Sequence, residues 1–156
     1  MTPFDDLILE FIRIARKQNV KMIMVGGGAV NFHGYQRHSA DVDFWIKCDK
    51  DNFNSLIKTF QLLGYEIDSF PESVMNQLQN ISIKVSPLMT LELITRFDVN
   101  KSFEEALRDS IETEALDEGF YKYNIISYED LITSKMKAGR DKDLLDIKML
   151  EKIKND

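Results

Sequence analysis

At 156 residues, with 44% hydrophobic and 29% charged residues, the chain is long enough to bury a real core, short for two domains, and too apolar for disorder to be the default. Its net charge of −6 argues against a broad nucleic-acid-binding face, which needs clustered lysine and arginine. One cysteine, Cys48, excludes an internal disulfide, no apolar run reaches membrane-spanning length, and the acidic start with Asp5, Asp6 and Glu10 is unlike a signal peptide, so a single cytoplasmic domain without membrane attachment is expected.

Residues 4–18 place Phe4, Leu7, Ile8, Phe11, Ile12 and Ala15 at helical spacing, which predicts an amphipathic helix. Lys21 to Val25 reads as a buried strand, Gly26, Gly27 and Gly28 as a turn, Ala29 to Tyr35 as two helical turns, and Asp41 to Lys47 as a second strand. A helix pattern over Asn52 to Leu63 ends at Gly64, a residue that accepts the left-handed conformation past a helix end. Tyr65 to Asp68 reads as a short strand, and Pro71 to Asn80 as a connection. Ile81 to Val85 and Thr90 to Ile94 alternate and read as strands joined around Pro87; Ser102 to Asp109 reads as helix. Ile111 to Leu116 and Phe120 to Ile126 flank the turn Asp117-Glu118-Gly119 and suggest a hairpin. Ser127 is placed to cap a helix that runs to Gly139, and Asp141 to Lys154 forms another, with Leu144, Leu145, Ile147, Met149, Leu150 and Ile153 as its apolar stripe. Strands alternating with helices predict an α/β (α+β) fold: a mixed β-sheet flanked by helices in a core over 20–126, with a C-terminal helical hairpin over 127–154.

The chemistry concentrates between residues 26 and 43. On a strand, Asp41 and Asp43 project to one side while Val42 and Phe44 turn to the other. Two carboxylates so placed suit a hard divalent cation such as Mg²⁺; the plain alternative is an exposed face with two solvated acids. The three glycines allow close backbone approach, and with Gly28 leading into a helix the free amides suit phosphate. A tight structural turn is the alternative. No Gly-Lys-Ser/Thr follows, so this is not a Walker A loop, and Cys48, His33 and His38 lack zinc-site spacing. Cys48, His33, Trp45 and the scattered methionines read as packing residues.

The order strand, glycine turn, helix and Arg37-x-Ser39-x-Asp41-x-Asp43 resembles the signature of nucleotidyltransferases of the polymerase-beta superfamily. The run Glu129-Asp130-Leu131-Ile132, then Lys135, then Arg140-x-Lys142-Asp143-x-x-Asp146-Ile147 is similar to stand-alone minimal members, including abortive-infection toxin relatives. The resemblance implies the nucleotidyltransferase fold and two-metal transfer of a nucleoside monophosphate from an NTP such as ATP, with Mg²⁺ or Mn²⁺. It implies Asp41 and Asp43 as metal ligands and requires a third acid on a neighbouring strand. Glu92, flanked by Leu91 and Leu93, fills that place as ligand and acceptor base, with Asp68 and Asp98 as weaker choices. An aspartate is more usual in the superfamily, and the extra methylene of Glu92 carries its carboxylate farther out. The triphosphate then falls to Gly27, Gly28, Arg37, Ser39 and Lys135, the last as a flexible point charge; alternatively Arg37 pairs with Asp41 or Asp43 and Lys135 belongs to a helical hairpin tied by ion pairs. The acceptor is a tRNA, a protein or a small molecule, and a partner protein or homodimer is compatible with this reading. Two other classes remain: a catalytically weakened nucleotide-binding or toxin-antitoxin-type regulatory module of the same fold, and a structural protein with a calcium site.

Overall fold

The computed structural model describes residues 5–37 and 39–156; Phe4 and His38 lie outside the described residues. Helix α1 (Asp6–Lys17) starts at Asp5, whose side chain accepts from the Leu7 amide at 2.9 Å. It buries Ile8, Phe11, Ile12 and Ala15, the positions that helical spacing brings to one face. Strand β1 (Met22–Val25) runs directly into helix α2 (Gly26–Phe32), so the glycines form the first helical turn rather than a separate loop before it. Strand β2 (Asp41–Ile46) leads through the cap Asp49 to helix α3 (Lys50–Leu62), which ends before Gly64 at φ +97°.

The expected strand over 65–68 does not form. The Tyr65 ring packs edge-on against Phe60, its amide donates to the Phe60 carbonyl, and Gln61 takes the Ile67 carbonyl, so α3 itself occupies this segment. One helical turn, α4 (Glu72–Met75), interrupts the following connection. Strands β3 (Ile81–Ser86) and β4 (Met89–Ile94) form an antiparallel pair with a register shift near Ser86. Helix α5 (Phe103–Asp109) carries a capping box in which Ser102 and Glu105 satisfy each other's backbone amides. Strands β5 (Ile111–Glu114) and β6 (Lys122–Ile125) make the expected hairpin. Ser127 caps helix α6 (Tyr128–Ala138), which stops at Gly139 in the left-handed conformation, and helix α7 (Asp141–Asn155) follows.

The six strands form one mixed sheet in the order β3-β4-β2-β1-β6-β5, with β2 and β4 parallel and β1 and β2 antiparallel. Phe44 contacts Phe11 of α1 at 6.0 Å and Tyr123 of β6 at 6.4 Å between ring centroids, so α1 covers the face to which Phe44 points. Trp45, on the opposite face, packs against Phe97 and Phe103 of α5. That second face is the one that carries Asp43.

The C-terminal helix departs from its expected orientation. Leu144, Leu145 and Ile153 are exposed, while Asp143, Asp146 and Leu150 are buried. Positions 143, 146 and 150 share a helical face, and that face turns inward because its carboxylates find cations there. Among the described residues, no helix is long and apolar enough to cross a membrane.

Candidate active site

Parallel pairing sets Asp43 of β2 directly opposite Glu92 of β4, and Asp41 opposite Thr90. Directly paired residues on neighbouring strands point to the same face, so Asp41, Asp43 and Glu92 share one side of the sheet. Their neighbours Val42, Phe44, Leu91 and Leu93 are buried, which pins the strand register and therefore the acids. On the other side Asp43 pairs with Val25, the last residue before the glycines.

The acid strand leaves no room for side chains on that turn. A Cβ on Gly26, which also has φ +64°, would collide with the Asp43 carboxylate. On Gly27 it would lie 2.6 Å from Ser39 Oγ, and on Gly28 2.8 Å from Met24 Sδ. Ser39 in turn donates to the Asp41 carbonyl at 3.0 Å and accepts from the Asp41 amide at 3.4 Å, tying the glycine turn to the head of β2. No side chain caps the first-turn amides of α2.

Electrostatically this corner is unsatisfied. Burial, then the charge of Asp41, then that of Glu92 push the Asp43 carboxyl up to about 6, with Lys135 and Lys142 offsetting part of the rise. None of the three acids takes part in an ion pair among the described residues. Among the described residues no group of three or more acid, histidine or cysteine side chains is placed to hold a metal ion together, so Asp41, Asp43 and Glu92 share a face without converging on one point. The acids form an open, like-charged face.

Arg37 finds a partner the sequence did not suggest, and Lys135 takes the ion-paired hairpin alternative. Arg37 pairs with Asp146 at 3.0 Å and not with Asp41 or Asp43. Lys135 is only 6% exposed, held 3.2 Å from Asp143 and 2.9 Å from Asp146, so it is a clamped charge rather than a flexible one. Arg140 closes the chain on Asp143 at 2.6 Å. Burial opposes ionisation of Asp143, but the Arg140 guanidinium and Lys135 outweigh it and hold the carboxyl below the usual range. One buried aspartate, Asp146, thereby ties the α6–α7 hairpin to the segment that precedes the acid strand.

The other sequence candidates sit in different surroundings. Asp68 is exposed in an irregular segment, and Asp98 pairs with Lys137. His33 holds the Ile126 carbonyl at 2.8 Å, and burial pushes the half-buried Cys48 thiol up to about 11. Lys142 is exposed in the first turn of α7, in no ion pair among the described residues, and its charge lowers the rise of Asp43. Its neighbours Arg140 and Asp141 are exposed with it, and only Asp143 turns inward. A cleft of about 370 Å³, bordered by Gly28, Phe32, Ser39, Asp41, Val42 and Tyr123, opens beside Asp41, largely on the Phe44 side of the sheet and away from Asp43 and Glu92.

The family "Nucleotidyltransferase of unknown function (DUF6036)" matches residues 5–155, the span that contains the glycine turn, the acid strands and the hairpin. The chain belongs to this nucleotidyltransferase family. Solved structures similar to this nucleotidyltransferase include the crystal structure of ANT(2″)-Ia in complex with adenylyl-2″-tobramycin. It shares 13% identity at a TM-score of 0.52, over 92% of this chain and 85% of that one. The solution structure of the antibiotic-resistance factor ANT(2″)-Ia has 13% identity and a TM-score of 0.54, over 92% of this chain and 80% of that one. At such identity the likeness is one of fold. No curated protein matches the sequence.

Proposed function

We propose that this nucleotidyltransferase moves a nucleoside monophosphate from an NTP to a hydroxyl or phosphate acceptor, by a metal-dependent in-line displacement centred on Asp41, Asp43 and Glu92. The observation that carries this reading is the register of Asp43 with Glu92, beside Asp41, with no ion-pair partner for these acids among the described residues. Like charges so placed favour a cation, and burial has already raised Asp43 to about 6. Mg²⁺ commonly takes one or two protein carboxylates, with water and substrate phosphate completing its shell, which fits an open set of acids better than a closed cage.

In this reading Asp41 and Asp43 would hold Mg²⁺ or Mn²⁺, and Glu92 would add a further carboxylate and take the acceptor's proton. The ion, when bound, supplies Lewis-acid charge to the phosphates and acidifies a hydroxyl. Gly27, Gly28 and Ser39 would border the triphosphate; a Cβ at Gly27 would press on Ser39, and one at Gly28 would meet only the flexible Met24 thioether. Arg37 and Lys135 act as charges held at set positions by Asp146, which lowers the cost of organising them around a substrate. Lys142, exposed and in no ion pair among the described residues, is a free cation whose charge acts on Asp43. The work of such a site is positioning and charge neutralisation rather than covalent chemistry.

Incubation with α-labelled NTPs, Mg²⁺ or Mn²⁺ and a cell extract tests the reading. Metal-dependent labelled product is expected, with a loss of at least about a thousandfold for Asp43→Ala, the scale of several kcal/mol that a metal site supplies. Product formation indifferent to Asp43 would overturn it. The unconverged acids favour one second reading, a binding-only module of toxin-antitoxin type, which would show NTP binding and no labelled product from the wild-type chain.

A further inference from the structure

The acid face does not end at β4. Antiparallel pairing sets Ser82 of β3 opposite Glu92, and Lys84 opposite Thr90, which itself pairs with Asp41. Directly paired residues point to one side, so Ser82, Lys84 and Thr90 share the face of Asp41, Asp43 and Glu92. Ile81 and Ile83 turn the other way with the buried Leu91 and Leu93 and pack against the core. Exposure follows the same alternation: Ser82 and Lys84 are exposed, Ile81 and Ile83 half-buried. The face is therefore open to solvent where it reaches the edge of the sheet.

Three donors on this open stretch have nothing to bond. The Ser82 and Thr90 hydroxyls and the Lys84 ammonium make no hydrogen bond or ion pair among the described residues. Lys84 is the diagonal neighbour of Glu92 across the strand pair, about 7–8 Å away by sheet geometry, and still makes no ion pair with it. A lysine on an edge strand discourages pairing with another chain, but that use does not call for two free hydroxyls beside it. Lys84 is also the one cation on β2, β4 and β3. A long polyanion laid across these strands would meet three carboxylates for that one lysine. A single phosphate would meet an ammonium and two hydroxyls, one donor for each of its three free oxygens.

Val25 and the glycine turn adjoin Asp43 on one side of the acid strand, and Glu92, then β3, lie on the other. With the triphosphate at the glycines and the acceptor's proton on Glu92, the acceptor belongs over β4 and β3. Resting on the transferase reading above, we propose that this edge of the face is the acceptor subsite and that its acceptor is a small hydroxylated phosphate ester, a nucleoside or sugar monophosphate, whose phosphate lies on Lys84, Ser82 and Thr90. In the reaction that follows, the acceptor hydroxyl oxygen attacks the α-phosphorus of the NTP and a new O–P bond forms. The bond from that phosphorus to the bridging oxygen breaks, pyrophosphate leaves with the electron pair, and the hydroxyl proton passes to Glu92.

Calorimetric titration of the protein saturated with Mg²⁺ and a non-hydrolysable NTP separates acceptor binding from chemistry. The probes are ribose 5-phosphate and uridine monophosphate, their neutral counterparts ribose and uridine, and a single-stranded RNA of ten nucleotides. At least one ester should bind about tenfold more tightly than its neutral counterpart, the size of one modest charge-assisted contact. Lys84→Gln should erase that preference, while Lys58→Gln, which removes the same charge from an exposed position on α3, should leave it intact. Equal binding of both esters and their neutral counterparts, a preference that survives Lys84→Gln or is lost equally in Lys58→Gln, or RNA bound more tightly than either ester would overturn the proposal. Mg²⁺-dependent NTP binding is measured in parallel: its absence from the wild-type protein would strike the transferase reading itself, whereas its presence without an ester preference would strike the acceptor proposal alone.

Discussion

Two aspartate pairs in this nucleotidyltransferase meet opposite fates. Asp143 and Asp146, on α7, are buried yet matched: Lys135 touches both, Arg140 takes the first and Arg37 the second. Asp41 and Asp43, on β2, have Glu92 for a neighbour and no ion-pair partner among the described residues. The same side chain is therefore pushed in two directions, Asp143 below the usual carboxylate range and Asp43 up to about 6. Repulsion left standing in a folded protein costs stability, and such strain collects where a ligand is to be bound. The matched pair builds the molecule, and the unmatched pair awaits something positive.

Removing a carboxylate tests this contrast, since the two regions should respond with opposite signs. Asp146→Ala leaves Lys135 buried with Asp143 alone and deprives Arg37 of its partner. A loss of about 3 kcal/mol or more is expected from denaturant unfolding, the cost of breaking a buried pair by removing one member. Gly27→Ala probes the boundary between glycine turn and acid strand, because its Cβ would displace Ser39 from 2.6 Å and with it the contact to Asp41. Nucleotidyl transfer should fall on the order of a hundredfold, the effect of an ångström-scale misplacement, with only modest loss of stability.

Asp43→Asn should do the reverse of Asp146→Ala and stabilise the metal-free protein. A carboxyl raised from 3.8 to about 6 in the folded state opposes folding when ionised. That penalty is absent below about 3.8, grows as pH rises, and is complete above about 6. At pH 8 the asparagine variant should gain about 2 kcal/mol, less than the full two-unit shift because water reaches the face. The gain should vanish as pH falls toward 4. Asp143, with its carboxyl held low, contributes in the other sense: its stabilisation is present at neutral pH and is lost on acidification. A pH-stability curve for each variant reads both signs.

Much of this was legible in the chain. Alternation in Asp41-Val42-Asp43-Phe44 and Leu91-Glu92-Leu93 set which side chains turn from the core, and Ser127, Gly64 and Gly139 marked helix ends. Sequence patterns report one element's faces, not what meets them. The partner of Arg37 lies 109 positions away on α7, and nothing local announced it. The same limit misplaced the stripe of α7: hydrophobic spacing favoured Leu144 and Leu145, while three cations from outside that spacing drew Asp143 and Asp146 inward. The short strand over 65–68 failed because Gln61 and Phe60 claim its backbone and ring.

Titration with a non-hydrolysable NTP reads whether the unmatched acids form a metal–triphosphate site. Binding to the wild-type protein should require Mg²⁺ or Mn²⁺ and should disappear in Asp43→Asn while that variant unfolds at higher denaturant than the wild type. NTP binding that persists without divalent metal, or that survives in Asp43→Asn, would contradict the account.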